Sequence, residues 1–141
     1  MTAVTRTTSR GQLVTLSFGQ ANVAASQTDV QLVAADPSGN DGYALPFDGE
    51  IVGIGYNLSA ARTAGTCTVG VTIGGTEDAD TTVSIPGDSA TVKGYQRISR
   101  GRCPFAAGDV IGVEITTNAG HLPTTTDLTV TVLALVYLEG I

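Results

Sequence analysis

The chain has 141 residues and a net charge of −6, with 14% charged and 42% hydrophobic residues. A single domain of this size can bury roughly 70% of the surface its unfolded chain exposes, so a core can close without metal or disulfide staples. The acidic balance excludes a general nucleic-acid binder, the longest apolar stretch (132–138) is strand-sized rather than membrane-spanning, and the polar start of the chain leads us to expect no secretion signal.

Aromatic residues make up only 5% of the chain and tryptophan is absent. The apolar content is Val, Ile, Leu and Ala among many Thr, a composition that suits pleated strands better than helices. Residues 1–11 read as an extended polar arm ending in Gly11, and 12–141 as one domain. A first strand covers 12–18, with Val14, Leu16 and Phe18 on one face. A second covers 28–34, with Val30, Leu32 and Ala34 inward. The cluster Asp36-Pro-Ser-Gly-Asn-Asp-Gly42 is a turn. The strand at 50–59 places Val52, Ile54, Tyr56 and Leu58 together and Gly53 and Gly55 opposite, a sign of a bend or of another backbone close by.

Arg62-Thr-Ala-Gly65 connects a hairpin into the alternating strand 66–73, whose inner side is Cys67, Val69, Val71 and Ile73. Weaker strands at 81–85 and 90–98 flank a turn at Pro86-Gly-Asp88. The strand 109–117 follows the Gly108-Asp109 turn. The last strand, 128–138, sets Leu128, Val130, Val132, Ala134, Val136 and Leu138 on one face. Its other face passes from Thr129 and Thr131 to Leu133, Leu135 and Tyr137. Two explanations of that two-sided apolar half stand side by side: a central strand covered by the N-terminal segment, or a subunit interface. About eight short strands joined by Gly/Pro/Asp turns predict an all-β fold, a jelly-roll β-sandwich of two four-stranded antiparallel sheets.

Residue types that carry chemistry are few. His121 is the sole histidine, and no nucleophile motif accompanies it, so it reads as an ordinary loop residue and no catalytic residue is assigned. One histidine and two cysteines cannot supply a zinc tetrad, and no metal site or cofactor is expected. Cys67 reads as a buried small hydrophobe. Cys103 lies among Arg100 and Arg102, which would lower its pKa if it were exposed, and a Cys67–Cys103 disulfide is a further candidate. Asp36, Ser38 and Asn40 begin like a calcium loop, but Asp41 stands where the pattern needs glycine. Glu77-Asp-Ala-Asp80 reads as a solvated acidic tip.

Charge is uneven. Residues 1–28 carry Arg6 and Arg10 and no acid, while 89–108 carry Lys93, Arg97, Arg100 and Arg102 and no acid. Two positive zones on an acidic chain suggest docking onto something negative.

Three stretches, Phe47-Asp-Gly-Glu-Ile-Val with Tyr56-Asn-Leu, the 62–75 hairpin, and Pro104-Phe-Ala-Ala-Gly-Asp-Val-Ile-Gly-Val-Glu-Ile-Thr-Thr117, together with the closing strand from Leu128, resemble the small jelly-roll domain of tailed-phage structural proteins. The resemblance covers residues 45–138 and implies a homotrimer found as a capsid decoration (cement) protein, a head fibre or a fibre tip. On it rest the expectations of a non-enzymatic decoration protein on the outer surface of the virion, with itself and the phage major capsid protein as partners, and with no nucleic acid, membrane or small-molecule substrate. Arg6 and Arg10 would dock the arm on the capsid, with Lys93, Arg97, Arg100 and Arg102 as a weaker docking set. Leu133, Leu135 and Tyr137 would pack the subunits. The alternative is a fibre-tip module that binds a cell-surface glycan, for which Tyr43, Tyr95 and His121 are the loop candidates.

Overall fold

The computed structural model describes residues 11–34, 42–87 and 92–138. Arg6, Arg10 and the Asp36–Asp41 calcium-like segment lie outside these residues. Twelve strands run β1 (Gly11–Gln20), β2 (Val30–Gln31), β3 (Val33–Ala34), β4 (Tyr43–Ala44), β5 (Gly49–Leu58), β6 (Cys67–Ile73), β7 (Thr76–Glu77), β8 (Val83–Ser84), β9 (Lys93–Arg97), β10 (Pro104–Phe105), β11 (Val110–Thr117) and β12 (Leu128–Tyr137), with one 3-10 turn at Ala79–Thr81. They form two antiparallel sheets. Sheet A runs β10-β5-β12-β1-β3, with β9 also on β5, and sheet B runs β2-β11-β6-β7, with β4 on β11 and β8 on β6. This is the jelly-roll sandwich that the strand pattern predicts. Each sheet has six strands rather than four, because short segments of the loops add to the sheets as two-residue strands.

The core lies between the sheets. Leu16, Phe18, Ile54, Tyr56, Leu58, Val130 and Val132 from sheet A meet Val69, Val71, Ile111, Val113 and Ile115 from sheet B, all buried. These positions alternate along their strands, so one face of each sheet is turned inward.

Two strand readings change. The segment expected as one strand at 28–34 splits: β2 pairs with β11 in sheet B and β3 with β1 in sheet A. The chain crosses between the layers there. Leu32 is fully buried at the crossing while Val30 is exposed, so Val30 does not share an inner face with Leu32 and Ala34. In β5 the pairing with β12 shifts register between Leu133 and Ala134. A bulge reverses the in–out parity beyond it. Ile51 is therefore buried, Val52 only half-buried, and Glu50 faces outward beside Leu135.

Cys67 and Cys103 are free, buried thiols, which corrects the disulfide expectation. Cys67 sits on the inner face of β6, and burial pushes its thiol up to about 11. Cys103 lies before β10, and burial with the Asp78 side chain pushes it up to about 12. The nearby arginines do not activate it, because its side chain points inward rather than to the surface.

Candidate functional site

The outward face of sheet A collects most of the residues singled out from sequence. Strand β12 is central, with β1 on one side and β5 on the other. Strand β1 lies beside β12, paired from Gly11↔Tyr137 to Gln20↔Leu128, and does not cover its outer face. Leu133 and Leu135 are half-buried there, and Leu13, directly opposite Leu135 on β1, is 57% exposed. Leu13 is not marked in the sequence, because the alternation of the first strand shows only its inner set and a single leucine on the other face is ordinary. The cross-strand pairing with Leu135 is what makes it part of an apolar strip.

Next to the strip, Gly53 and Gly55 of β5 leave the face bare. A Cβ built on Gly53 would come no closer than 3.7 Å to its nearest neighbour, and one on Gly55 no closer than 3.6 Å. Among the described residues nothing requires glycine there. Gly70 on sheet B differs, since a Cβ there would collide with Glu77. Beyond the bare strip, β9 alternates Lys93, Tyr95 and Arg97 outward with Gly94 and Gln96 inward. Tyr95 is 74% exposed, and the Arg97 guanidinium lies 6.0 Å from its ring centroid, at the outer reach of a cation–π contact. The face is thus apolar at β1 and β12, flat along β5, and cationic along β9.

At one end of this face Glu50 is buried under Arg100 and Tyr137. The Tyr137 hydroxyl donates to Glu50 Oε2 and Arg100 Nε donates to Oε1. Burial pushes the Glu50 carboxyl up, but the Tyr137, Arg100 and Gly101 donors outweigh it, so its pKa falls below the usual range. Tyr137 therefore spends its hydroxyl inside the chain. A cleft of about 650 Å³ lined by Pro46, Phe47, Asp48, Arg100, Ala107 and Tyr137 opens beside it. Arg102 turns to Asp80 at 3.4 Å, both exposed. Lys93, Arg97 and Arg100 thus share one face, while Arg102 pairs locally.

The outer face of sheet B has the opposite charge. Glu114 and Glu77 are held above the ordinary carboxylate range, both first by burial; Asp29 adds to each, and Glu77 adds to Glu114. Gln31 Nε2 reaches Glu114 at 3.4 Å. Among the described residues no group of three or more His, Cys, Asp or Glu side chains is placed to hold a metal ion.

His121 is not the exposed loop residue expected from the sequence, and Arg62 of the hairpin connection is buried beside it. Each is 1% exposed, and Arg62 Nε donates to His121 Nδ1 at 3.1 Å. Burial first, and the Arg62 charge second, lower the His121 pKa below 6.5. Its buried position removes it from the candidates for glycan contact. Tyr43 is half-buried with its ring edge-on to Phe18 at 5.5 Å, which leaves Tyr95 as the exposed candidate of that set.

No protein-family model matches the sequence, and no curated protein matches it. Solved structures do. A chain of the cyanophage Pam1 capsid asymmetric unit is 12% identical with a TM-score of 0.57, over 91% of this chain and 87% of that one. A chain of the acidic-stable capsid of the Helicobacter pylori bacteriophage KHP30 is 16% identical with a TM-score of 0.51, over 89% of this chain and 93% of that one. At these identities the likeness is one of fold: this chain has the jelly-roll sandwich found in proteins of phage capsids.

Proposed function

We propose that this chain is a structural protein of a phage particle, a homotrimeric decoration protein held on the outside of the head by the major capsid protein. The observation that carries this is the outer face of sheet A. An apolar strip of Leu13, Leu133 and Leu135 lies next to a backbone left bare by glycines that no described residue requires, and cations line the far edge. Single exposed apolar residues are ordinary, but a contiguous strip on one sheet face marks contact with another molecule. The fold shared with phage capsid chains supports the same reading. In this role the leucine strip packs subunit on subunit, with Tyr137 at its end as a ring rather than as a hydrogen-bond donor. The cations of β9, set away from that strip, and Arg6 and Arg10 of the arm meet the acidic shell. Three linked contacts hold a trimer far more firmly than one. The mechanism is mechanical: added contact across subunit boundaries raises the free energy of dissociation.

The test is solution mass together with co-sedimentation on purified heads. The wild-type chain should be a trimer that sediments with heads. Leu135→Asp should give monomers, because burying a carboxylate in the strip costs far more than the strip gains. Deleting residues 1–11 should leave a trimer that no longer binds heads. A monomeric wild-type chain that ignores heads would remove the proposal. A fibre-tip reading has one observation in its favour, the exposed Tyr95 ring, which could stack on a sugar. Glycan-array binding abolished by Tyr95→Ala, with few copies per particle, would favour it over decoration.

A further inference from the structure

Beyond the end of β5, two loops meet around Arg62. Its side chain runs inward and donates three ways: Nε to His121 Nδ1 at 3.1 Å, one terminal nitrogen to the Ile85 carbonyl at 2.5 Å, and the other to the Ala64 carbonyl at 3.0 Å. No carboxylate is among these partners. A buried guanidinium is thus held by two neutral carbonyls and one imidazole, and the imidazole can accept only while its Nδ1 carries no proton. The proton of neutral His121 is consequently on Nε2, which is buried without a hydrogen-bond partner among the described residues.

The same place ties backbone to backbone. Thr63 N–H donates to the Leu122 carbonyl at 2.9 Å, and Leu122 N–H donates to the Ala64 carbonyl at 3.1 Å. Gly65, at φ +77°, sits so close under His121 that a Cβ would collide with its backbone. We propose that Arg62 and His121 form an acid-released clasp: a neutral His121 ties the 62–65 loop to the 120–123 loop, and a proton from solvent on Nδ1 breaks that tie and parts the two loops. Protonation removes the acceptor and sets a second positive charge within hydrogen-bond distance of the guanidinium. Among the described residues nothing nearby compensates. From β6 the ionisable neighbour is Cys67, a neutral thiol close enough for Arg62 to act on its pKa. From the 118–127 segment it is Asp127, whose Oδ1 is engaged by Asn22 N–H at 3.0 Å. The Val23 backbone on the 21–27 loop favours the protonated ring but is outweighed by burial and by Arg62. The 85–87 turn adds no ionisable side chain.

The sign follows from the imidazole. Its pKa in the folded chain lies below the ordinary 6.5, so the unfolded or opened state binds the proton more readily. The clasp is complete above that value and is lost as pH falls from it toward the depressed one.

Native-state amide exchange on the full chain tests this, with Thr63 and Leu122 as reporters and Leu32 and Ile51, which donate to Val113 and Cys103, as core controls. Between about pH 7.5 and about pH 5 the reporters should lose protection by about tenfold per unit of depressed pKa, and the controls, which exchange only through global unfolding, should remain the better protected at every pH. His121→Asn keeps an acceptor near the Nδ1 position but cannot titrate there, so its reporters should show no acid response. Reporters unchanged by acid in the wild-type chain, an acid response persisting in His121→Asn, or reporters as well protected as the controls at every pH, opening only with the whole molecule, would each overturn the clasp. If His121→Asn does not fold, nitrogen NMR of the single imidazole decides. A neutral ring protonated on Nε2 that titrates below 6.5 supports the clasp, and a ring protonated on Nδ1 or titrating at or above 6.5 overturns it.

Discussion

At the pole where β1 begins, Arg100 covers Glu50 from the solvent side and Tyr137 completes the hydrogen bonds of the carboxylate. At the opposite pole, beyond Leu58, Arg62 is inside and no carboxylate is among its partners in the described residues. Both arginines sit in loops, and the sequence gives them the same appearance. The difference lies in which group would be stranded by their loss. Glu50 would keep the Tyr137 hydroxyl and regain water where Arg100 had lain. Removing Arg62 would leave the buried Ile85 carbonyl and the buried His121 imidazole without their donor, while the Ala64 carbonyl would keep Leu122 N–H. A cation placed under the surface therefore matters to the fold in a way that a better-paired cation on the surface does not.

The largest effect expected from this contrast is that of Arg62→Met, which keeps the bulk and removes the donors. Two buried acceptors, the Ile85 carbonyl and His121 Nδ1, lose their partner at once, and each buried unsatisfied group costs about 1–3 kcal/mol, partly offset by no longer burying a charge. A net loss of about 2–4 kcal/mol in urea denaturation is expected, with the slope unchanged. A stability equal to wild type would mean that water already reaches the Ile85 carbonyl and the His121 ring, and the contrast between the poles would collapse.

Acid should separate the poles next. The His121 contribution is present above 6.5 and lost as pH falls toward its depressed folded value. The Glu50 contribution is present above its ordinary 4.5 and lost only as pH falls from there through its lowered folded value. One proton changes stability by at most about 1.4 kcal/mol per pH unit. A stability–pH curve should thus begin to fall below neutrality and show a second decline in stronger acid. Glu77 and Glu114 act the other way: with raised pKa values they take up protons more readily in the folded chain, a gain realised as pH falls from those raised values to 4.5, so they offset part of the first decline and leave the second the cleaner one. In His121→Asn only the first should disappear.

How much of this was legible in the sequence depends on whether the signal is local. The long strands were, because alternation along one segment is enough: Thr66–Ile73 and 109–117 appear as β6 and β11 almost residue for residue. The apolar Leu133 and Leu135 stood out for the same reason, as exceptions to an alternation. Leu13 did not, since an exposed leucine acquires meaning only from its neighbour across the sheet. Glu50 was hidden by a bulge that no residue type in β5 announces, and counting every second residue from Leu58 puts it on the wrong face. Arg62 and His121 are 59 residues apart. No local pattern joins them, and an arginine in a turn reads as solvated until the fold closes over it. The short strands β2, β3, β7 and β10 have two residues each, too few for any period to show.

Tyr137→Phe sharpens the comparison on a smaller scale. It removes one hydroxyl from Glu50 and leaves Arg100 and the Gly101 backbone in place. A hydrogen bond to a charged partner that remains satisfied by others is worth about 1 kcal/mol. The loss should appear above pH 4.5, where Glu50 is ionised, and shrink below it. A loss that does not change with pH would show that the ring packing of Tyr137, and not its hydroxyl, supports this pole.

The smallest change in stability belongs to Arg100→Met, the counterpart of the first substitution. Arg100 is the exposed member of its ion pair, and such pairs are screened and add little. No measurable shift of the denaturation midpoint is expected at neutral pH, since Glu50 retains its other donors. The same variant should nevertheless bind heads less well if the cationic edge of sheet A meets an acidic shell, and the defect should shrink as salt rises, because salt already weakens the wild-type contact. Unchanged stability with weakened, salt-dependent binding would assign Arg100 to the outside of the molecule, as Arg62 belongs to its inside. A clear loss of stability would show instead that Arg100 is what keeps Glu50 tolerable under the surface, and the two poles would then differ in degree rather than in kind.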